Sequence, residues 1–127
     1  MMWLVTYQYD LTTPTNSSVT HVFNSTNAIT IGLNPKGLAF NTNRSKYYTV
    51  SQDEEKIYVL TVKDSAGAPR TVAQINSDIA TIDLRTYLPD KDIPFVPNDL
   101  DYLHTTTGDY LVITTQGLKG AVVVPVE

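Results

Sequence analysis

Clusters of turn-forming residues cut this chain into short runs, and that punctuation limits its fold more than any other feature. TTPTNSS at 12–18, NSTN at 24–27, NPKG at 34–37, NTNRSK at 41–46, QDEEK at 52–56 and KDSAGAPR at 63–70 leave intervals too short for ordinary helices. The intervals are filled with β-branched and aromatic residues. The chain has 13 Val, 8 Ile, 18 Thr and 8 Tyr, against 7 Ala and 3 Glu. Good strand formers are abundant and the best helix formers scarce, so the fold class is all-β, antiparallel, with little or no helix.

The clearest strand is WLVTYQYDL at 3–11, where Trp3, Val5, Tyr7, Tyr9 and Leu11 alternate with Leu4, Thr6, Gln8 and Asp10. Further strands are expected at 19–23, 28–33, 38–40, 47–51, 57–62, 100–104, 110–115 and 121–126. IYVLTV at 57–62 is apolar on both faces and suits a central strand covered on each side, whereas Pro125 favours an edge for the last strand. In NPKG, Pro35 presets φ and Gly37 is free to turn left-handed. Residues 71–88 read two ways: Ile75, Ile79 and Ile82 have helical spacing, but Ile82, Leu84 and Thr86 alternate as a strand does. Extended structure is preferred there, because Thr and Ile favour it and no cap is recognised ahead of the segment. Residues 89–99 hold three prolines and three acids and read as a loop. At 127 residues the chain supports one core, so 1–127 is read as a single domain. Many short strands fit a sandwich, a barrel or propeller-like blades, and periodicity does not choose among them.

Two stretches echo each other, 29–62 and 95–126, with 63–94 as an insertion between them. In each, a proline-containing turn precedes a short strand, a polar turn, a tyrosine-led strand and a valine-rich strand. The first stretch carries Ile29-Thr-Ile-Gly32, Asn34-Pro-Lys-Gly37, Leu38-Ala-Phe40, Tyr47-Tyr-Thr-Val50 and Ile57-Tyr-Val-Leu60. In that order it resembles a blade of the YVTN-type β-propeller repeats of archaeal and bacterial surface-layer and cell-surface proteins. The resemblance covers about half the chain; Val50-Ser51 stands where the family has Thr-Asn, and Pro97-Asn-Asp-Leu100 lacks the glycine. It implies blades, at most two here, in a ring that other subunits complete. It also implies binding or scaffolding more often than catalysis, and it carries over no catalytic residue.

Charge and composition exclude several functions. Nine basic and thirteen acidic side chains give a net charge of −4, and the nearest approach to a basic cluster is Arg44-Ser-Lys46. That does not neutralise a row of phosphates, so nucleic acid is not an expected partner. Cysteine is absent, which removes disulfides and thiolate chemistry. No apolar run is long enough to span a bilayer, and the opening MMWLV breaks at Thr6, Gln8 and Asp10 before it makes a signal-peptide core. Asn-x-Ser/Thr triplets at 16–18, 24–26 and 43–45 mark loops that could sit on a surface.

Few residues suggest chemistry. His21 and His104 are the only histidines, without His-x-His or His-x-x-x-His spacing, and no Gly-x-Ser-x-Gly occurs. His21 shares a strand face with Val19 and Phe23 and reads as packed, while His104 reads as a strand-end residue. Asp90, Asp92, Asn98, Asp99 and Asp101 supply oxygens that calcium accepts, if their loop folds back on itself. Otherwise no cofactor is expected. Tyr47 and Tyr48 must face opposite sides of one strand, so one packs and the other is the candidate for a ligand such as a glycan. The resulting expectation is a non-enzymatic structural protein that forms a homo-oligomer or builds into a virion, tail, surface layer or filament, placed on a virion or cell surface ahead of the cytoplasm. Strands at 3–11 and 121–126 would join neighbouring subunits. The alternative is a lectin-like or propeller-like module that binds a glycan or a protein.

Overall fold

The computed structural model describes residues 28–126 continuously, and before them residues 2–3, 6–8, 12–13, 15 and 18–20. In the N-terminal part, β1 (Met2–Trp3) pairs with β4 (Ala28–Ile29), and β2 (Thr6–Gln8) pairs with β3 (Ser18–Thr20), both antiparallel. These pairs fall on the strands expected at 3–11, 19–23 and 28–33. His21, the rest of the 19–23 strand and the 24–26 triplet lie outside the described residues.

The main body has two antiparallel sheets. The first contains β5 (Pro35–Phe40), β6 (Lys46–Ser51), β7 (Lys56–Thr61) and β8 (Ala80–Asp83), in that spatial order. The second contains β9 (Val96–Thr105), β10 (Gly108–Gln116) and β11 (Ala121–Val126), with β10 in the middle. Short polar turns join β5 to β6 to β7 and β9 to β10 to β11, which pair as meanders, whereas β8 returns to the edge of β7 after residues 62–79. The fold is therefore mostly antiparallel β with little helix. A short helix, α1 (Val72–Ser77), and a 3-10 turn at Leu84–Tyr87 are the regular non-strand elements of residues 28–126. No described helix is long and apolar enough to cross a membrane.

One core joins the sheets. Ala39, Tyr48, Val50 and Ile57 meet Leu100, Leu111, Ile113, Val122 and Val124 across it, and Leu84, Leu88 and Phe95 of the connecting segment close one side. Period-two alternation produces this directly: every second residue of β10 and β11 turns inward and the residues between them are more exposed. A smaller cluster, Ile29, Leu60 and Ile75, lies under α1 on the opposite side of β7. Strand β7 is thus interior in its sheet and covered on both faces, as IYVLTV requires.

The propeller resemblance is overturned by this topology. Propeller blades are four-stranded sheets set radially about a channel, whereas here a four-stranded and a three-stranded open sheet share one core. The stretch 29–62 does not complete its sheet alone, because β8 comes from the segment read as an insertion. What the two stretches share is the alternation and turn chemistry of antiparallel meanders. The same open topology removes the propeller-like and virion-component descriptions of the chain.

Two local expectations are also corrected. The bend ahead of β5 is at Asn34, whose φ is 50°, while Gly37, with φ 63°, lies inside β5 where the register with β6 slips between Lys36 and Ala39. The glycine makes a bulge rather than a turn. In 71–88 both readings are realised in succession, helix first and strand β8 second. The helix has a cap: the Thr71 hydroxyl accepts from the Gln74 amide at 3.3 Å, and the Gln74 side chain accepts from the Thr71 amide at 2.9 Å. This reciprocal pair satisfies two donors at the helix start that would otherwise lack partners.

Candidate functional site

The most distinctive site lies where the two sheets part. Register sets Tyr48 of β6 opposite Val59 of β7, and Val59 opposite Ala80 of β8, so the three form one row across the sheet. Ile82 extends the row's apolar surface, Lys46 stands at its margin, and Pro125 and Val126 of β11 face it. Between them is a groove of about 270 Å³. Strands β8 and β11 border it without pairing to each other, and each is an outer strand of its sheet.

Tyr48 forms the groove's floor and is only 1% exposed. Its ring stacks on Tyr102 with centroids 6.0 Å apart and planes 18° apart. Its hydroxyl has no hydrogen-bond partner among the described residues. Leaving such a group unpaired costs about 1–3 kcal/mol. Burial, followed by the neighbouring Tyr102 and Asp109, pushes its pKa up to about 12, so it remains a donor at neutral pH.

Beside Tyr48 runs a polar chain at the end of the β9–β10 hairpin. Asp109 stands opposite His104 on β9 and opposite Val126 on β11. The Tyr102 hydroxyl donates to Asp109 Oδ2, and His104 Nδ1 lies 2.5 Å from Asp109 Oδ1. These two hydrogen bonds, Tyr102 first, hold the Asp109 carboxyl below the usual aspartate range. Burial and the bond to Asp109 raise the Tyr102 phenol. His104 is 65% exposed, so its contact with Asp109 contributes little to stability. Both Asp109 oxygens are engaged, and Tyr48 meets this chain through its ring stack on Tyr102, its own hydroxyl making no hydrogen bond.

The proposed calcium ligands do not gather. Asp90 Oδ1 accepts from the Asp92 amide, Asp99 Oδ1 from the Leu100 amide and Asp101 Oδ1 from the Tyr102 amide, each within 2.8–2.9 Å. Asn98, Asp99 and Asp101 are exposed on β9, while Asp90 and Asp92 lie in the preceding loop. Among the described residues no three acidic or histidine side chains come close enough to hold a metal ion. The loop is organised instead by Arg85, whose Nη1 donates to the Lys91 and Ile93 carbonyls at 2.8 and 2.9 Å. Its other nitrogens bind both oxygens of Glu55, and its guanidinium lies over the Phe95 ring.

The two adjacent tyrosines do take opposite faces. Tyr48 enters the core, while Tyr47 is half-buried against Phe40, with ring centroids 5.9 Å apart and Arg44 over the Phe40 ring. Apolar surface also remains outside. Val123 of β11 is 52% exposed, and Leu38 and Phe40 of β5 and Leu103 of β9 are exposed as well. Compared with known protein families, curated proteins and solved structures, the chain matches none of them.

Proposed function

We propose that the chain is a non-enzymatic structural protein that works by joining copies of itself, or a larger structure, through the outer edge of β11. The arrangement is read as a two-sheet sandwich left open on the side where β8 and β11 face each other. The observation that carries the proposal is the composition of β11. It is an edge strand of six residues, AVVVPV, with no charge and with Val123 exposed. Edges that proteins keep solitary are usually short, charged or covered, because a bare row of N–H and C=O groups recruits another strand. Here Pro125 is the single protective device within the strand, and it removes one donor near one end. Sedimentation velocity across a concentration series tests this. Self-association is expected for the wild type, with at least a tenfold loss of association for Val123→Lys, which adds charge to the edge without touching the core. Equal behaviour of the two proteins would refute it.

The groove floored by Tyr48 supports a second reading, a binding module. Its walls, Val59, Ala80, Ile82, Pro125 and Val126, match the apolar lining of small-molecule sites.

A further inference from the structure

We propose that Asn43, in the loop between β5 and β6, is an acceptor for an N-linked glycan. Asn43-Arg44-Ser45 is an Asn-x-Ser triplet with a residue other than proline in the middle, the pattern that such transfer requires. It is the triplet that lies wholly within the described residues, and Thr42, Asn43 and Arg44 are exposed there. The loop reverses at Arg44, whose φ is 56° and whose amide donates to the Asn41 carbonyl at 2.9 Å. Its shape is held by the neighbouring asparagine. Asn41 Oδ1 accepts from the Ser45 and Lys46 amides, each at 2.9 Å, and Asn41 Nδ2 donates to Ser45 Oγ at 3.0 Å. Asn43 uses only its oxygens: Oδ1 accepts from the Ser45 amide at 3.0 Å, and the main-chain carbonyl accepts from Lys63 Nζ at 3.3 Å. Its Nδ2, the atom that takes the sugar, makes no hydrogen bond among the described residues. Modification there removes no contact that holds the loop. The donor class is an oligosaccharide joined to a lipid through a diphosphate, presented by a membrane-bound transferase. Nδ2 attacks the anomeric carbon, so that an N–C bond forms and the C–O bond to the diphosphate breaks. The lipid diphosphate leaves with the electron pair, and one Nδ2 proton passes to a base of the transferase. The site is on the β5–β6 loop and not on β11, so the inference goes beyond the assembly reading and does not rest on it.

The test is secretion of the full chain from yeast behind a cleavable leader, followed by enzymatic glycan release in heavy-oxygen water and peptide mapping. Release converts a carrying asparagine to a labelled aspartate, which separates Asn43 from the triplets at 16–18 and 24–26. Label at residue 43 in most chains is the expected result. It should be lost in Ser45→Ala and kept in Ser45→Thr, which retains the hydroxyl. Secreted wild type with Asn43 unlabelled overturns the proposal, whatever the variants do. So does equal labelling of Asn43 in Ser45→Ala, which would make the modification independent of the triplet. With Asn16→Gln and Asn24→Gln in place, the glycosylated chain should melt no lower than the same chain made in bacterial cytosol, because Nδ2 has no bond to lose. A clearly lower melting temperature overturns the assignment of Nδ2 as an unengaged donor.

Discussion

Gly37 shows how much one position constrains. Its φ of 63° belongs to the left-handed region, and a Cβ there would lie 2.9 Å from the Leu100 backbone nitrogen and closer still to the Asp99 side chain. The bulge in β5 is what lets the backbones of β5 and β9 approach where no hydrogen bonds link them. Gly37→Ala is therefore expected to cost about 2 kcal/mol or more, from left-handed strain together with the collision. A urea midpoint within error of wild type would contradict that. Asp109 makes a second residue-scale statement. Its folded pKa lies below the ordinary value, because Tyr102 and His104 hydrogen-bond the charged form. Its contribution is thus present above about pH 3.9, the unfolded value, and disappears as pH falls through the lowered folded value. Denaturation of wild type and Asp109→Asn should differ in stability at pH 7 and converge in acid; a gap of the same size at pH 2 would contradict the assignment.

Among the elements, α1 is the one that β-forming composition hides. The helical spacing of Ile75 and Ile79 was visible, but β-forming Thr and Ile outweighed it. The overlooked signal was Thr71 followed three residues later by Gln74, a capping box in plain sequence. Tertiary burial then decides the matter, since Ile75 is fully buried against Ile29 and Leu60. Thr71→Ala should lose about 1 kcal/mol and raise amide exchange in the first turn. Unchanged exchange at Ala73 and Gln74 would count against the cap. Strands were far more legible. The runs at 47–51, 57–62, 110–115 and 121–126 declare themselves by composition, and Pro125 correctly marks an edge. The bulge at Gly37 was not legible, because NPKG has the same chemistry in a turn and in a slipped register. Which strands pair beyond their sequence neighbours is a tertiary matter, and the echo of 29–62 in 95–126 misled for that reason.

At the scale of the molecule, long-range contacts define both the loop and the groove. Arg85 and Glu55 are 30 residues apart, so nothing local announces that they clamp the 90–95 loop. Arg85→Ala should free this loop, and limited trypsin digestion should cut at Lys91 several times faster, with Arg85→Lys intermediate because it lacks the two-pronged geometry. Equal cleavage rates would remove the clamp from the account. The groove was likewise hidden: the strand at 47–51 put Tyr48 on one face, but only the packing of two sheets places Pro125 and Val126 opposite it. The same packing leaves β11 at an open edge with no charge to guard it. Sedimentation velocity of wild type and Val123→Lys over a hundredfold concentration range is the most direct test of the central claim. A wild type whose average mass grows with concentration, beside a variant that stays a single chain, is the predicted result. A wild type that remains monomeric throughout would contradict it.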